Sequence, residues 1–236
     1  LKVYPVNAIE AALLLSPQIA SWSNTKDLYS KYISYQVDFK SNEITLIGEW
    51  DSIIEMDTVI LGNTNALSGK LKLCSRNGII LDKEIALTEY INIIYTEKQK
   101  INKFELTLRG DEDISIGYLF VGKEWILPRF VVLPTKALNL RNESGRTFTG
   151  QVRGIPAETL KSFAAEFARI KNEEKTIFDD YINGVQTVIP HVIDPYPEAH
   201  EEFEPFFATV EDYGEAQKRA ENNFYWNVAC SWLEAK

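Results

Sequence analysis

The sequence predicts a mainly β protein, with an N-terminal antiparallel β-sandwich followed by a smaller α+β domain holding one amphipathic helix. Three observations predict it. Apolar and polar residues alternate along most of the first half, Gly, Asn, Ser and Asp punctuate the alternating runs, and a single stretch in the second half spaces its apolar residues as a helix does. A chain of 236 residues accommodates two ordinary domains. The expected division is 1–134 for the sandwich and 135–236 for the α+β module. Hydrophobic residues are 45% and charged residues 25%, the balance of a chain that buries a core.

The elements follow in order. Along Tyr32–Phe39, the residues Ile33, Tyr35, Val37 and Phe39 share one face, and Ser34, Gln36 and Asp38 the other. The turn signal Ser41-Asn42 leads into a strand at Ile44–Trp50. Further strands are expected at Asp57–Leu61, Lys70–Cys74, Ile91–Tyr95, Phe104–Leu108 and Ile114–Phe120, with a hairpin turn at Asn77-Gly78. Gly62-Asn63, Ser68-Gly69, Arg109-Gly110-Asp111 and Val121-Gly122 supply the residues that turns require. About eight short strands with almost no helical pattern make an antiparallel sandwich or jelly roll.

In the second half Pro128 and Pro134 bracket a connector, Arg129–Leu133. Lys136–Arg141 and Arg146–Val152 are expected to form a hairpin about Glu143-Ser144-Gly145. Pro156 suits a first helical position. After it, Leu160, Phe163, Ala164 and Phe167 fall at helical spacing while Glu158, Lys161 and Arg169 point elsewhere. This is the expected helix. Strands are then expected at Thr176–Phe178, Gln186–Ile189, Phe206–Val210 and Phe224–Trp232, an order that fits a small α+β unit.

The net charge of −9 repels phosphate backbones, and the best basic cluster, Arg141, Arg146 and Arg153, is interrupted by Glu143. No nucleic-acid partner is expected. No apolar run approaches the roughly 20 residues that span a bilayer. The longest, Ala11–Leu15, lacks the charged flank and cleavage site of a signal peptide, and because the chain opens on Leu1 a removed leader stays open. Cys74 and Cys230 are expected as small buried apolar residues, their pairing undecided by spacing.

The two histidines, His191 and His200, could ligate a metal with Asp194 or Glu198, but the spacing matches no metal-site pattern and a proline-rich loop explains them better. No Gly-x-Ser-x-Gly elbow presents a serine, no phosphate loop follows a strand, and strands and helices do not alternate as a dinucleotide fold requires. The pairs Asp51 with Asp57, Asp111 with Asp113, and Asp179 with Asp180 could face across a glycosidase cleft, and Asp111-Glu112-Asp113 could hold calcium. Each lies in or beside an expected turn, where Asp bonds local backbone. The expectation is therefore no catalytic residue, no metal and no cofactor.

The aromatic content points elsewhere: five Trp, eleven Tyr and twelve Phe. Flat rings stack on sugar faces and anchor protein interfaces. Trp22 and Asn24 in an early loop, with Asn63, Asn65 and Arg76 in later ones, are the candidate ligand rim. A lone loop Trp also plugs the end of a sandwich. Trp50, Trp125, Trp226 and Trp232 are expected in packing.

Ile44–Trp50, followed by Asp57–Asn65 and Gly69–Leu73, resembles the middle strands of galactose-binding-like (discoidin-like) domains. Ile116–Gly122 with Trp125–Pro128 resembles the closing strand of such domains in bacteriophage and prophage tail proteins, where a hairpin, a helix and a final aromatic strand follow, as Arg146–Gly150, Leu160–Phe167 and Asn223–Val228 do here. The resemblance implies a ligand edge built from loops at one end of the sandwich, often for sugars, or a purely architectural module. No sugar- or calcium-binding set sits at matching positions. The expected function is then a non-enzymatic structural or assembly protein of a phage- or prophage-type tail, made in the bacterial cytoplasm and built into the virion or prophage particle. Its expected partners are copies of itself or neighbouring tail proteins, with a glycan as a further partner. The alternative is a carbohydrate-binding module using loop aromatics, and a third reading is a metal-dependent hydrolase using His191 and His200.

Overall fold

The computed structural model describes residues 1–15, 24–29, 36–88, 90–128, 135–140, 143–146, 152–155, 159–186, 189–198, 203–214, 217–218 and 225–235. They form two compact units, Val6–Trp125 and the combination of Leu1–Pro5 with Ile126–Ala235. The division thus falls earlier than residue 134, and the first five residues belong with the second half, because Lys2–Tyr4 pairs with His191–Asp194.

The first unit is an antiparallel sandwich. Its strands run in the order Val37–Asp38, Ser115–Gly122, Glu43–Thr64, Ile91–Arg109, Ser68–Ser75, Gly78–Ala86, with Leu13–Leu15 also paired to Glu43–Thr64. Two long strands carry the architecture. Glu43–Glu49 pairs with Lys103–Arg109, and after a register shift Ile54–Gly62 pairs with the Ile91–Ile101 stretch. Leu13–Leu15 and Ser68–Ser75 extend the first pairing, whereas Ser115–Gly122 extends the second. Each long strand therefore serves both layers. The sequence predicts four short strands here because the alternation fails at Asp51–Ile53, which is exposed. That failure marks a bulged corner rather than a loop, as bulges bend strands between layers.

Side-chain burial follows from the layering. Ile44, Leu46 and Trp50 turn inward while Thr45, Ile47 and Glu49 are partly exposed. Leu46, Val59, Leu61, Phe104, Leu106, Ile116 and Leu119 meet in one core, each contributing about 1.5–3 kcal/mol of apolar burial. The strand Gly78–Ala86 is missing from the sequence expectation. It is an edge strand with most residues exposed, so apolar alternation is faint. The hairpin turn at Asn77-Gly78 forms as expected, with Gly78 at φ 122 and Ser75 opposite it. Of the Tyr32–Phe39 expectation, Val37–Asp38 is a strand and residues 32–35 lie outside the described residues.

The second unit is an α+β arrangement. One antiparallel sheet runs Thr135–Leu140, Thr159–Ile170, Trp226–Glu234, Phe206–Tyr213, His191–Asp194, Lys2–Tyr4, Trp125–Ile126, with Gln217–Lys218 added to Trp226–Glu234. A single α-helix, Asn172–Val185, is described.

The helix is not where spacing placed it. Leu160–Phe167 belongs to the strand Thr159–Ile170, in which Phe163, Ala165 and Phe167 are buried and Ala164 and Glu166 exposed. An interval of four residues satisfies a helix and a strand alike, so Phe163 and Phe167 do not discriminate between them. The stretch Thr176–Phe178, expected as a strand, lies inside the helix, which buries Phe178, Tyr181 and Val185. Its start is fixed by the Lys171 backbone N–H donating to Glu174 Oε2 at 2.8 Å, and its end by Gln186 in the left-handed region at φ 48.

The expected hairpin of Lys136–Arg141 with Arg146–Val152 is also replaced. Thr135–Leu140 pairs with Thr159–Ala164, and Glu143–Arg146 pairs with Val152–Ile155. The connector 129–134, Pro156 and the start of Phe224–Trp232 lie outside the described residues, and the final strand runs Trp226–Glu234. Among the described residues no helix is long and apolar enough to cross a membrane.

Candidate functional site

One end of the sandwich is built by the loops that carry the chain from layer to layer. Asn65–Leu67 joins Glu43–Thr64 to Ser68–Ser75, and residues 87–90 join Gly78–Ala86 to Ile91–Arg109. Both pass over the same end, because Ser68 pairs with Ala86 and Gly62 with Ile91.

These loops are cross-tied. Asn65 Nδ2 donates to the Asp113 carbonyl at 2.9 Å and its Oδ1 accepts from Ser115 N–H at 2.8 Å. Thr64 Oγ1 donates to the Ser115 carbonyl at 2.9 Å. The Leu67 and Leu87 N–H groups donate to the Arg109 and Leu67 carbonyls. Asn92 holds the second loop, accepting from Thr88 N–H and donating to the Thr88 carbonyl, both at 2.8 Å. Asn63 adopts φ 49, a left-handed conformation that Asn tolerates, and its N–H donates to the Tyr90 carbonyl at 3.2 Å.

On this frame two large side chains stand out to solvent, Tyr90 at 49% and Leu67 at 55% exposure. An exposed ring on loops tied by hydrogen bonds suits a ligand with an apolar face. The sequence-based rim missed both residues. The edge strand Gly78–Ala86 was not legible, so neither was the loop that follows it and bears Tyr90, whereas Leu67 lies beside the Asn63 and Asn65 that the rim did include.

The structure brings together two of the five predicted rim residues, Asn63 and Asn65. Arg76 sits in the turn between Ser68–Ser75 and Gly78–Ala86, at the other end of the strands. An eight-residue strand separates it from the Ser68 end, roughly 25 Å at about 3.3 Å per residue. Asn24 is exposed and caps the 3-10 turn Thr25–Tyr29, accepting from Lys26 N–H at 3.0 Å. Trp22 lies outside the described residues.

The acidic pairs are placed for structure. Asp57 is buried, and its Oδ1 accepts from Glu124 N–H at 2.8 Å and Thr58 Oγ1 at 2.9 Å, whereas Asp51 is exposed. Asp111, Glu112 and Asp113 are exposed in the turn that Asn65 holds. Asp179 pairs with Lys175 and accepts from Tyr213 Oη at 3.2 Å, and burial together with that carboxylate pushes the Tyr213 hydroxyl up to about 12.

The second unit holds a buried polar chain. Trp232 Nε1 donates to Tyr181 Oη at 2.7 Å, and Tyr181 Oη lies 2.6 Å from His191 Nε2. His191 Nδ1 is 3.0 Å from the Ile189 carbonyl, which can only accept. Nδ1 therefore carries the proton and Nε2 accepts from Tyr181. Both ring nitrogens are engaged within the protein, so His191 has none to offer a metal in this arrangement. Burial lowers its pKa from 6.5 to about 4. His200 lies outside the described residues, and among those described no cluster of His, Cys, Asp and Glu is placed to hold a metal ion.

No protein-family model matches the chain, and no curated protein matches it. Among solved structures, SpGH29 matches over 51% of this chain and 28% of its own, at 9% identity and a TM-score of 0.46. Chitosan-binding module 1 of a chitosanase/glucanase from Paenibacillus sp. IK-5 matches over 49% of this chain and 98% of the module, at 9% identity and TM-score 0.42. A Streptococcus pneumoniae fucose-binding module, SpX-3, matches over 49% and 96%, at 12% identity and TM-score 0.43. This chain thus spans about a quarter of SpGH29 and nearly all of the two modules. TM-scores below 0.5 transfer neither family nor ligand, and the sandwich described above rests on this chain's own strand pairing.

Proposed function

We propose that the Val6–Trp125 sandwich is a non-catalytic carbohydrate-recognition module whose ligand lies across the loop end bearing Tyr90. One observation carries the reading: a half-exposed tyrosine is anchored through its backbone to Asn63, on loops fastened by Asn65 and Asn92. Such preorganisation limits the ordering cost of binding, and an exposed aromatic platform matches the apolar face of a sugar ring. The test is a glycan-binding screen beginning with fucose- and glucosamine-containing oligosaccharides, with Tyr90→Ala and Trp22→Ala beside the parent chain. Binding that survives Tyr90→Ala unchanged removes the assignment of this end.

Assembly with neighbouring chains is the second reading, and tail-particle membership is its narrower form. It is favoured by Gly78–Ala86, an edge strand with Ile79 at 63% and Ile80 at 40% exposure, since exposed edges are templates for strand addition. None of the three solved structures above bears the name of a tail protein. Solution mass separates the readings: a monomer that binds glycan supports the first, and a glycan-silent ordered oligomer the second.

A further inference from the structure

We propose that the Trp232–Tyr181–His191 chain is an acid-sensitive latch, holding the helix Asn172–Val185 on its sheet while His191 is neutral and releasing it when His191 takes up a proton. The three side chains are all at most 1% exposed, and they join three elements: Tyr181 from the helix, Trp232 from the last strand and His191 from the strand His191–Asp194.

The hydrogen-bond order has one direction. The indole N–H donates to the phenol oxygen, the phenol O–H donates to Nε2, and Nδ1–H donates to the Ile189 carbonyl. A proton added at Nε2 turns the acceptor at the centre of this chain into a donor. Tyr181 Oη could then accept from both Trp232 and His191, but its own hydrogen would be left buried without the partner it now has.

The new charge would also lack a counter-charge. On the helix, Tyr181 is neutral with its hydroxyl raised well above 10 by burial, and Asp179 is engaged by Lys175 and Tyr213. On the last strand Cys230 shares the face of Trp232 and its thiol is pushed up by burial, while Glu234 accepts from Lys161 N–H. On Phe206–Tyr213, Ala208 lies opposite His191, Asp212 lies opposite Ser231 on the other face, Glu211 is exposed, and Tyr213 is bonded to Asp179. Asp194, on the same strand as His191, points to the opposite face by alternation, as do its neighbour Lys2 and Tyr4.

The sign follows from the depressed imidazole pKa. Stabilisation is complete above about 6.5, falls as pH drops from 6.5 towards about 4, and levels off below. The folded fraction of this unit should lose on the order of a hundredfold in its equilibrium constant across that window.

The test is hydrogen exchange of the full chain, followed by mass spectrometry at pH 7 and pH 4.5. Protection in 172–185 should fall while the sandwich strands 43–64 and 91–109 stay protected. His191→Gln, which keeps an acceptor but does not titrate, should abolish that selective loss. Should His191→Gln fail to fold, the imidazole resonances decide, with His200→Asn identifying the signal of His191. Helix protection unchanged down to pH 4.5, or a His191 resonance titrating near 6.5 with the helix intact, would overturn the proposal.

Discussion

Gly48 and Phe104 stand directly opposite each other on adjacent strands, and a Cβ on Gly48 would lie 2.0 Å from Phe104 Cε1. The ring thus occupies the space a side chain would take. Gly48 is on the inward face with Ile44, Leu46 and Trp50, and the Trp50 ring packs on Phe104 at 5.7 Å between centroids. Gly48→Ala should therefore destabilise the sandwich by about 1–3 kcal/mol through overpacking. Denaturant unfolding checks this, and adding Phe104→Leu should recover part of the loss. Equal stability of Gly48→Ala and the parent would mean that the ring moves aside freely.

Asn7 substitutes for a strand along the edge of Ser115–Gly122. Its Nδ2 donates to the Leu119 carbonyl at 2.8 Å, and its Oδ1 accepts from Val121 N–H at 3.1 Å. Asn7→Ala strips both partners from a buried edge and should cost about 2 kcal/mol, with faster exchange of the Val121 amide. Asn7→Asp keeps the acceptor but sets a carboxylate against the Leu119 carbonyl. Its stability should recover on acidification as the protonated acid regains a donor, and an Asn7→Asp variant indifferent to pH would count against this geometry.

The two thiols are free and should react unequally. Cys230 is buried, and burial first, then Asp212, raises its thiol pKa. Cys74 is partly exposed and raised more modestly by burial and the Glu105 charge. Maleimide labelling of the native chain near neutral pH should modify Cys74 slowly and Cys230 only after denaturation. Peptide mapping distinguishes them; rapid native labelling of Cys230 would contradict the packing of the last strand.

The five rim residues predicted from sequence should separate under mutation. Asn65→Ala should lower stability, because its amide is spent on Asp113 and Ser115. Arg76→Ala, at the far end of the strands and exposed, should leave both stability and any Tyr90-dependent binding unchanged. Parallel melting and binding curves give the two readouts. Loss of binding in Arg76→Ala alone would move the site to the opposite end.

Much of the sandwich was legible because a half-buried strand writes its two faces into alternate residues. Ile44–Trp50 and Phe104–Leu108 show this directly, and Asn77-Gly78 announced its turn through the backbone freedom of glycine. The edge strand Gly78–Ala86 was hidden because a strand with few buried residues has no pattern to display. With it went the loop bearing Tyr90, so the candidate site was only partly visible, through Asn63 and Asn65.

Local composition by itself determined the predominance of β structure and the inward faces of the central strands, since each follows from neighbours a few residues away. Tertiary pairing alone decided that Glu43–Thr64 and Ile91–Arg109 run through their corners, that Phe163 and Phe167 sit on a strand, that Lys2–Tyr4 joins the second unit, and that His191 meets Tyr181 and Trp232. The physical reason is common to all four. A four-residue interval, a bulge or a buried hydrogen bond acquires its meaning from the partner across the sheet, and that partner can lie a hundred residues or more along the chain.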